Sequence, residues 1–323
     1  MEPPRSLCSL PPEGALNALG RPGGVDLQPL LREIGPRWAE DINKHRAQIV
    51  EAYTPLLAAN PLPGLEVTRD IAYGAHARQR LDIYQGREAR SADARLPIMV
   101  FVHGGAFLRG QKDSNAQVYG NVARFFARHG FVGVNIEYRL APEAPFPAGA
   151  QDLALALDWL RANAAGFGGD AQRMLLIGHS AGGAHVASLL VDPRLQPLAG
   201  PVAGAVLISA RLRADQRADN PNAAGVRAYF GTDESRYEAD SPVSHAAHLQ
   251  VPLLLAVAQH ENPWLDVYAM EFAHRVGLAQ GRSPQLVWVP EHNHTSIVTH
   301  LDSGIGDDGF GQRLLSFARG LSP

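Results

Sequence analysis

The stretch Met174-Leu175-Leu176-Ile177-Gly178-His179-Ser180-Ala181-Gly182-Gly183 runs an apolar segment into a glycine-flanked serine and then into small residues that suit a helix. Four apolar residues without a polar interruption read as a strand buried on both faces. A strand that turns abruptly into a helix at Gly-x-Ser-x-Gly is the setting of a nucleophile elbow, where the serine sits on a strained turn with its hydroxyl presented. Gly178 and Gly182 leave room for the turn and for close helix–strand packing. An ordinary glycine-rich βα turn is the competing reading. The strand before and the helix after favour Ser180 as a nucleophile.

Upstream, an apolar run over 98–102 leads directly into His103-Gly104-Gly105-Ala106-Phe107. Acyl transfer needs donors aimed at the oxygen that becomes negative in the tetrahedral intermediate. A glycine-rich loop after an early strand can offer backbone N–H groups there, together with the N–H of the residue after the nucleophile, Ala181. Alone the loop could be a tight turn; its place on an earlier strand, 77 residues before Ser180, makes it more specific.

Residues 65–73 and 80–84 read as two strands of a hairpin, with Gly74 in the turn. Buried runs follow at 98–102, 132–136, 174–177, 202–208, 253–258 and 286–289. Helical segments fit 118–129, 148–163, 181–190, 264–276 and 311–318 between and after them. This alternation predicts an α/β fold with a mostly parallel central sheet, helices on both faces and an N-terminal antiparallel hairpin. Ahead of it, Trp38, Ile42, His45, Ile49, Tyr53 and Leu56 form an apolar stripe on a helix over about 37–58, stopped by Asn60-Pro61-Leu62-Pro63-Gly64. Residues 1–27 are rich in proline and glycine and read as an irregular arm. The expected division is an arm and helical cap over 1–64 and a catalytic domain over 65–323.

The 323 residues are 46% hydrophobic and 19% charged, with a net charge of −3 and scattered basic residues. That gives no electrostatic case for nucleic acid or anionic membrane as partner. The single cysteine, Cys8, excludes an intramolecular disulfide, and no apolar run approaches the ~18–20 residues that span a bilayer. The N-terminus carries no signal-peptide pattern, so a soluble cytoplasmic protein is expected.

The His-Gly-Gly loop, Glu137-Tyr138-Arg139-Leu140-Ala141-Pro142-Glu143 and Pro147-Ala148-Gly149-Ala150-Gln151-Asp152 resemble the hormone-sensitive-lipase-like esterases and the neighbouring kynurenine-formamidase-like hydrolases over about residues 65–320. The resemblance implies an α/β-hydrolase fold with oxyanion-hole amides at Gly105, Ala106 and Ala181, and His103 shaping the loop. Where this family usually has His-Gly-Gly-Gly or His-Gly-Gly-x-Trp, the chain has Ala106 and Phe107; at His179 the lipase-like branch often has Asp, which leans toward the formamidase-like neighbours.

In this fold the chain order is serine, acid, histidine. His292 and His294, in Glu291-His292-Asn293-His294-Thr295-Ser296, follow the last strand; the resemblance makes the second the general base and leaves His292 to hold the loop or line the pocket. A His-x-His pair can bind metal, but a third ligand at usable spacing is missing. For the acid, relatives carry aspartate three residues past the preceding strand, where this chain has Glu261. Asp266 is the rival, although an acid early in a helix is also favoured by the macrodipole. His103, Phe107 and His179 are expected at the substrate pocket, with Phe107 and the 37–58 helix bordering it, so that deleting residues 1–60 should alter chain-length preference. Tyr138, Arg139, Glu143 and Asp152 are expected to brace loops, and Trp159 and Leu160 to be core.

These features predict a serine hydrolase that cleaves small carboxylic esters through an acyl-enzyme, without cofactor or metal. An amidase or arylformamidase is the alternative. A non-catalytic ligand-binding homologue comes third, since all three triad candidates are present.

Overall fold

The structure, a computed structural model, describes residues 25–60, 64–86, 89, 95–305 and 309–321. Most of the expected arm, Cys8 and residues 61–63 lie outside them. Eight strands form one sheet: β1 (Leu65–Ala72), β2 (Arg80–Gly86), β3 (Leu96–Val102), β4 (Val132–Ile136), β5 (Gly169–His179), β6 (Gly204–Ile208), β7 (Leu253–His260) and β8 (Gln285–Asn293). Their order is β1-β2-β4-β3-β5-β6-β7-β8. β2 pairs antiparallel with both β1 and β4, and every other neighbouring pair is parallel.

Side chains of successive strand residues point to opposite faces, and the two cores divide accordingly. Val100, Val102, Leu176 and Leu207 join one core, which α4 (Ala148–Asn163), α5 (Ala181–Val191) and α9 (Leu265–Gln280) cover. Met99, Phe101, Leu175, Ile177 and Val206 join the other, beneath α3 (Gly120–Arg128) and α11 (Phe310–Arg319). Both faces of the central strands β3 to β7 are therefore buried, which is why those strands read as apolar runs; the expected buried run 286–289 is instead part of the edge strand β8, where Leu286 and Trp288 are exposed.

The N-terminal region is α1 (Gln28–Ile34), a 3-10 helix (Gly35–Glu40) and α2 (Ile42–Ala59). Where one helix was expected over about 37–58, Asp41 interrupts it and caps α2, its side chain accepting from the Lys44 N–H at 3.0 Å. Leu31, Ile34, Trp38, Ile49, Tyr53, Leu56 and Leu57 are buried in the second core, continuous with the sheet. The segment between β6 and β7, for which no element was expected, holds α7 (Ala223–Phe230), short turns including α8 (Tyr237–Asp240), and a 3-10 helix over Pro242–His248. The remaining four-residue helices are α6 (Gln196–Ala199) and α10 (Ser296–Thr299). No helix among the described residues is long and apolar enough to cross a membrane.

Candidate active site

β5 ends at His179, and Ser180 turns the chain into α5 with φ 55° and ψ −118°. A side chain on such a backbone costs about 1–3 kcal/mol and persists only where the surroundings enforce it. Here the Ser180 N–H donates to the Ile208 carbonyl at 3.0 Å, and the Arg211 N–H donates to the Ser180 carbonyl at 3.1 Å, which ties the turn to the end of β6. A Cβ added to Gly178 would lie 2.6 Å from the Gly183 Cα, so the elbow admits no side chain there.

His294 follows β8, held by its N–H donating to the His260 carbonyl at 3.1 Å. Its Nε2 lies 3.0 Å from the Ser180 Oγ, and its Nδ1 lies 2.8 Å from the Glu261 Oε2. A carboxylate only accepts, so Nδ1 carries the proton and Nε2 is left to accept from the serine hydroxyl. The second Glu261 oxygen accepts from the Ala258 N–H at 2.9 Å and from the Ser209 hydroxyl. Ser209, not anticipated from the sequence, lies just past β6. The rival acid Asp266 sits in the first turn of α9, and the Nδ1 of His294 meets Glu261 instead. A hydroxyl, an imidazole and a carboxylate in hydrogen-bonded series can deprotonate the hydroxyl as it attacks a carbonyl.

The loop after β3 lies against the serine: a Cβ on Gly104 would come within 2.9 Å of the Ser180 Cβ. Gly105, Ala106 and Phe107 follow with φ of 151°, 51° and 68°. Among the described residues, no acceptor takes the N–H of Gly105, Ala106 or Ala181. Two of the expected pocket residues are elsewhere. His103 is fully buried, its Nδ1 2.7 Å from the Gly104 carbonyl oxygen and its ring stacked 4.4 Å from Tyr138, so it supports the loop from behind. The positive φ of Phe107 turns its ring away from the cavity, onto Tyr229 at 4.6 Å in a separate aromatic cluster. His179 does reach the cavity, and its Nε2 donates to the His294 carbonyl at 2.9 Å. Burial, with the nearby His294 imidazole, holds its pKa well below the usual histidine value. His292 bonds the Ser296 hydroxyl through Nδ1 at 2.9 Å and holds the loop.

Glu137 brackets the loop, accepting from the Lys112 N–H at 2.8 Å and pairing with Arg78. Asp152 pairs with Arg139 at 2.7 Å, a bracing contact as expected. Glu143 lies 3.3 Å from the His76 Nε2 at the surface. Ser180 and His294 open into a cavity of about 440 Å³, roofed by Trp38, Ile42 and Arg46 of the N-terminal region.

Comparison with known proteins bears on the fold and on what the chain resembles. The BD-FAE family model matches residues 81–192. Esterase LipC of Mycobacterium tuberculosis is 36% identical over 121 residues, 38% of this chain and 28% of that protein. Carboxylesterase NlhH of the same organism is 34% identical over 151 residues, 45% of this chain and 43% of its own length. The chain thus spans less than half the length of these curated relatives. Esterase B from Lactobacillus rhamnosis superposes with a TM-score of 0.69 at 20% identity, covering 90% of this chain and 96% of that one. At that identity the likeness establishes the fold, an α/β hydrolase.

Proposed function

We propose that this chain, a member of the α/β-hydrolase superfamily, is a carboxylesterase-type serine hydrolase acting on small esters. The observation that carries the reading is the series from the Ser180 Oγ to the His294 Nε2 at 3.0 Å and from the His294 Nδ1 to Glu261 at 2.8 Å. Its esterase relatives support the same activity. In the cycle, His294 takes the Ser180 proton as the oxygen attacks the ester carbonyl, and Glu261 holds the imidazole and stabilises the imidazolium. The Gly105, Ala106 and Ala181 N–H groups receive the developing oxyanion, each worth ~10²–10³ in turnover. His294 then protonates the departing alkoxide, and water activated by the same imidazole releases the acid.

A fluorophosphonate probe is expected to label the wild-type protein and to leave folded Ser180→Ala unlabelled, with turnover of a short p-nitrophenyl ester lost in the variant. A folded wild-type protein that resists the probe and cleaves no ester would overturn the proposal. Faster cleavage of an N-formyl anilide than of the ester would reassign the activity to amides while keeping the residue roles.

A further inference from the structure

The cavity in front of Ser180 is lined by three arginines, Arg46, Arg78 and Arg109, and by no Asp or Glu among the described residues. Arg78 is already engaged: it pairs with Glu137 and donates to the Tyr138 and Gly110 carbonyls at 2.8 Å each. Among the described residues the other two have only neutral partners. Arg46, on α2, donates to the Ser114 hydroxyl at 3.3 Å, and Arg109, on the loop after β3, donates to the Asn43 side-chain oxygen at 3.1 Å. Each guanidinium has five N–H donors in a planar fork matched to carboxylate geometry, so most of that capacity is unused. Both charges also reach one place, the buried Tyr119 phenol on the cavity wall, where they oppose the upward push of burial on its pKa.

Two uncompensated cations from different elements, converging beside a nucleophile in a chain of net charge −3, are not what a neutral ester requires. A purely apolar ester would gain nothing from them, whereas an anion would be both steered and held. We propose that the substrate is an ester that also carries a carboxylate, bound by Arg46 and Arg109 while its ester carbonyl meets Ser180. This rests on the esterase reading above for the reaction, though not for the anion site. A carboxylate on the acyl side and one on the alcohol side share the chemistry of recognition.

Two matched substrate pairs separate these sources. The pair 4-butyryloxybenzoate and its methyl ester places the charge on the leaving group, and monomethyl and dimethyl adipate place it on the acyl side. At low ionic strength, kcat/KM for the charged member of at least one pair is expected to exceed the neutral member by ~10-fold or more, the range of a charge-assisted contact. Added salt should shrink that advantage. In Arg46→Gln and in Arg109→Gln the charged-to-neutral ratio should fall about tenfold, and because both substrates meet the same variant, any loss of folded protein cancels. A ratio at or below one in both pairs, or a ratio that neither substitution moves, overturns the proposal even where ester cleavage and Ser180 labelling stand. If no ester is cleaved, calorimetric binding of adipate decides: binding weakened by both substitutions supports the anion site, and its absence in wild type overturns it.

Discussion

Ser209 has φ 48° one residue past β6, and its hydroxyl donates to the carboxylate whose other oxygen meets His294. With the Ala258 amide it occupies one Glu261 oxygen and leaves the other to the imidazole, which fixes the carboxylate's orientation. A second-layer donor of this kind acts through the residue it holds. Ser209→Ala is therefore expected to fold normally and to lower kcat by about tenfold, the ~1.5 kcal/mol of a hydrogen bond to a charged group. The loss should fall on kcat with KM nearly constant, and a change confined to KM would show that Ser209 has no such role. The three residues in series were legible in the sequence because each stands directly after a strand and in a fixed chain order. Ser209 also follows a strand, yet a lone hydroxyl there carries no signal. Its meaning depends on β6 lying between β5 and β7, which is sheet order and not local pattern. Phe107 was misplaced for a related reason: the sequence does not encode the positive φ that sends its ring to Tyr229.

At the scale of elements, β3 to β7 were legible because burial on both faces writes an apolar run, and α4 fell on 148–163 as expected from the alternation of strands and helices. The 211–250 segment was not, because ion pairs between distant residues shape it. Arg194 reaches Asp240 at 2.9 Å and Arg213 reaches Glu271 at 2.7 Å, contacts without periodicity. One N-terminal helix was expected where the chain forms α1, a 3-10 helix and α2, and their relation to the sheet was understated. Deleting residues 1–60 would remove seven side chains from the second core, at about 1.5–3 kcal/mol each, comparable with the ~5–15 kcal/mol stability of a whole domain. Such a deletion reports on folding and not on selectivity. A single contact is the better probe. The Trp38 Nε1–H donates at 2.9 Å to the buried Asn262 Oδ1, the residue after Glu261, and so pins the cavity roof to the loop of the acid. Trp38→Phe strands that oxygen and should cost about 1–3 kcal/mol in urea unfolding, with a rise in KM as the roof loosens. Unchanged stability and KM would mean that water replaces the indole without consequence.

For the whole molecule, the site's surroundings predict how stability responds to acid. His179 and His185 are almost wholly buried, and burial lowers both pKa values, that of His185 to about 3. His185 is buried inside α5 with its Nδ1 3.2 Å from the Tyr229 hydroxyl, and among the described residues neither ring has an anionic partner that would welcome a proton. In the unfolded chain both titrate near ~6.5. Below that pH the unfolded state binds more protons than the native state, so stability falls as pH falls, by about 1.4 kcal/mol per unit for His185 and in the same direction for His179. The loss begins near 6.5 and, for His185, continues until its folded pKa near 3 is reached. Two units of acidification then remove about 2.5 kcal/mol through His185 alone, a sizeable share of a typical domain's ~5–15 kcal/mol, and His179 adds to the loss in the same direction. Buried Asp302 has its pKa raised by burial despite Arg124 and Arg128, so it works in the opposite sense. Its opposing effect extends from the ordinary 3.8 upward to the raised folded value, so the wild-type slope combines both senses. The difference between wild type and a His185 variant in urea unfolding between about pH 6.5 and 5 isolates that one imidazole, because every other group is common to both. His185→Gln keeps an acceptor for Tyr229 and cannot ionise, so its stability should decline with acid by about one proton less than wild type. A variant whose slope matched the wild type would show that His185 already carries its proton when folded.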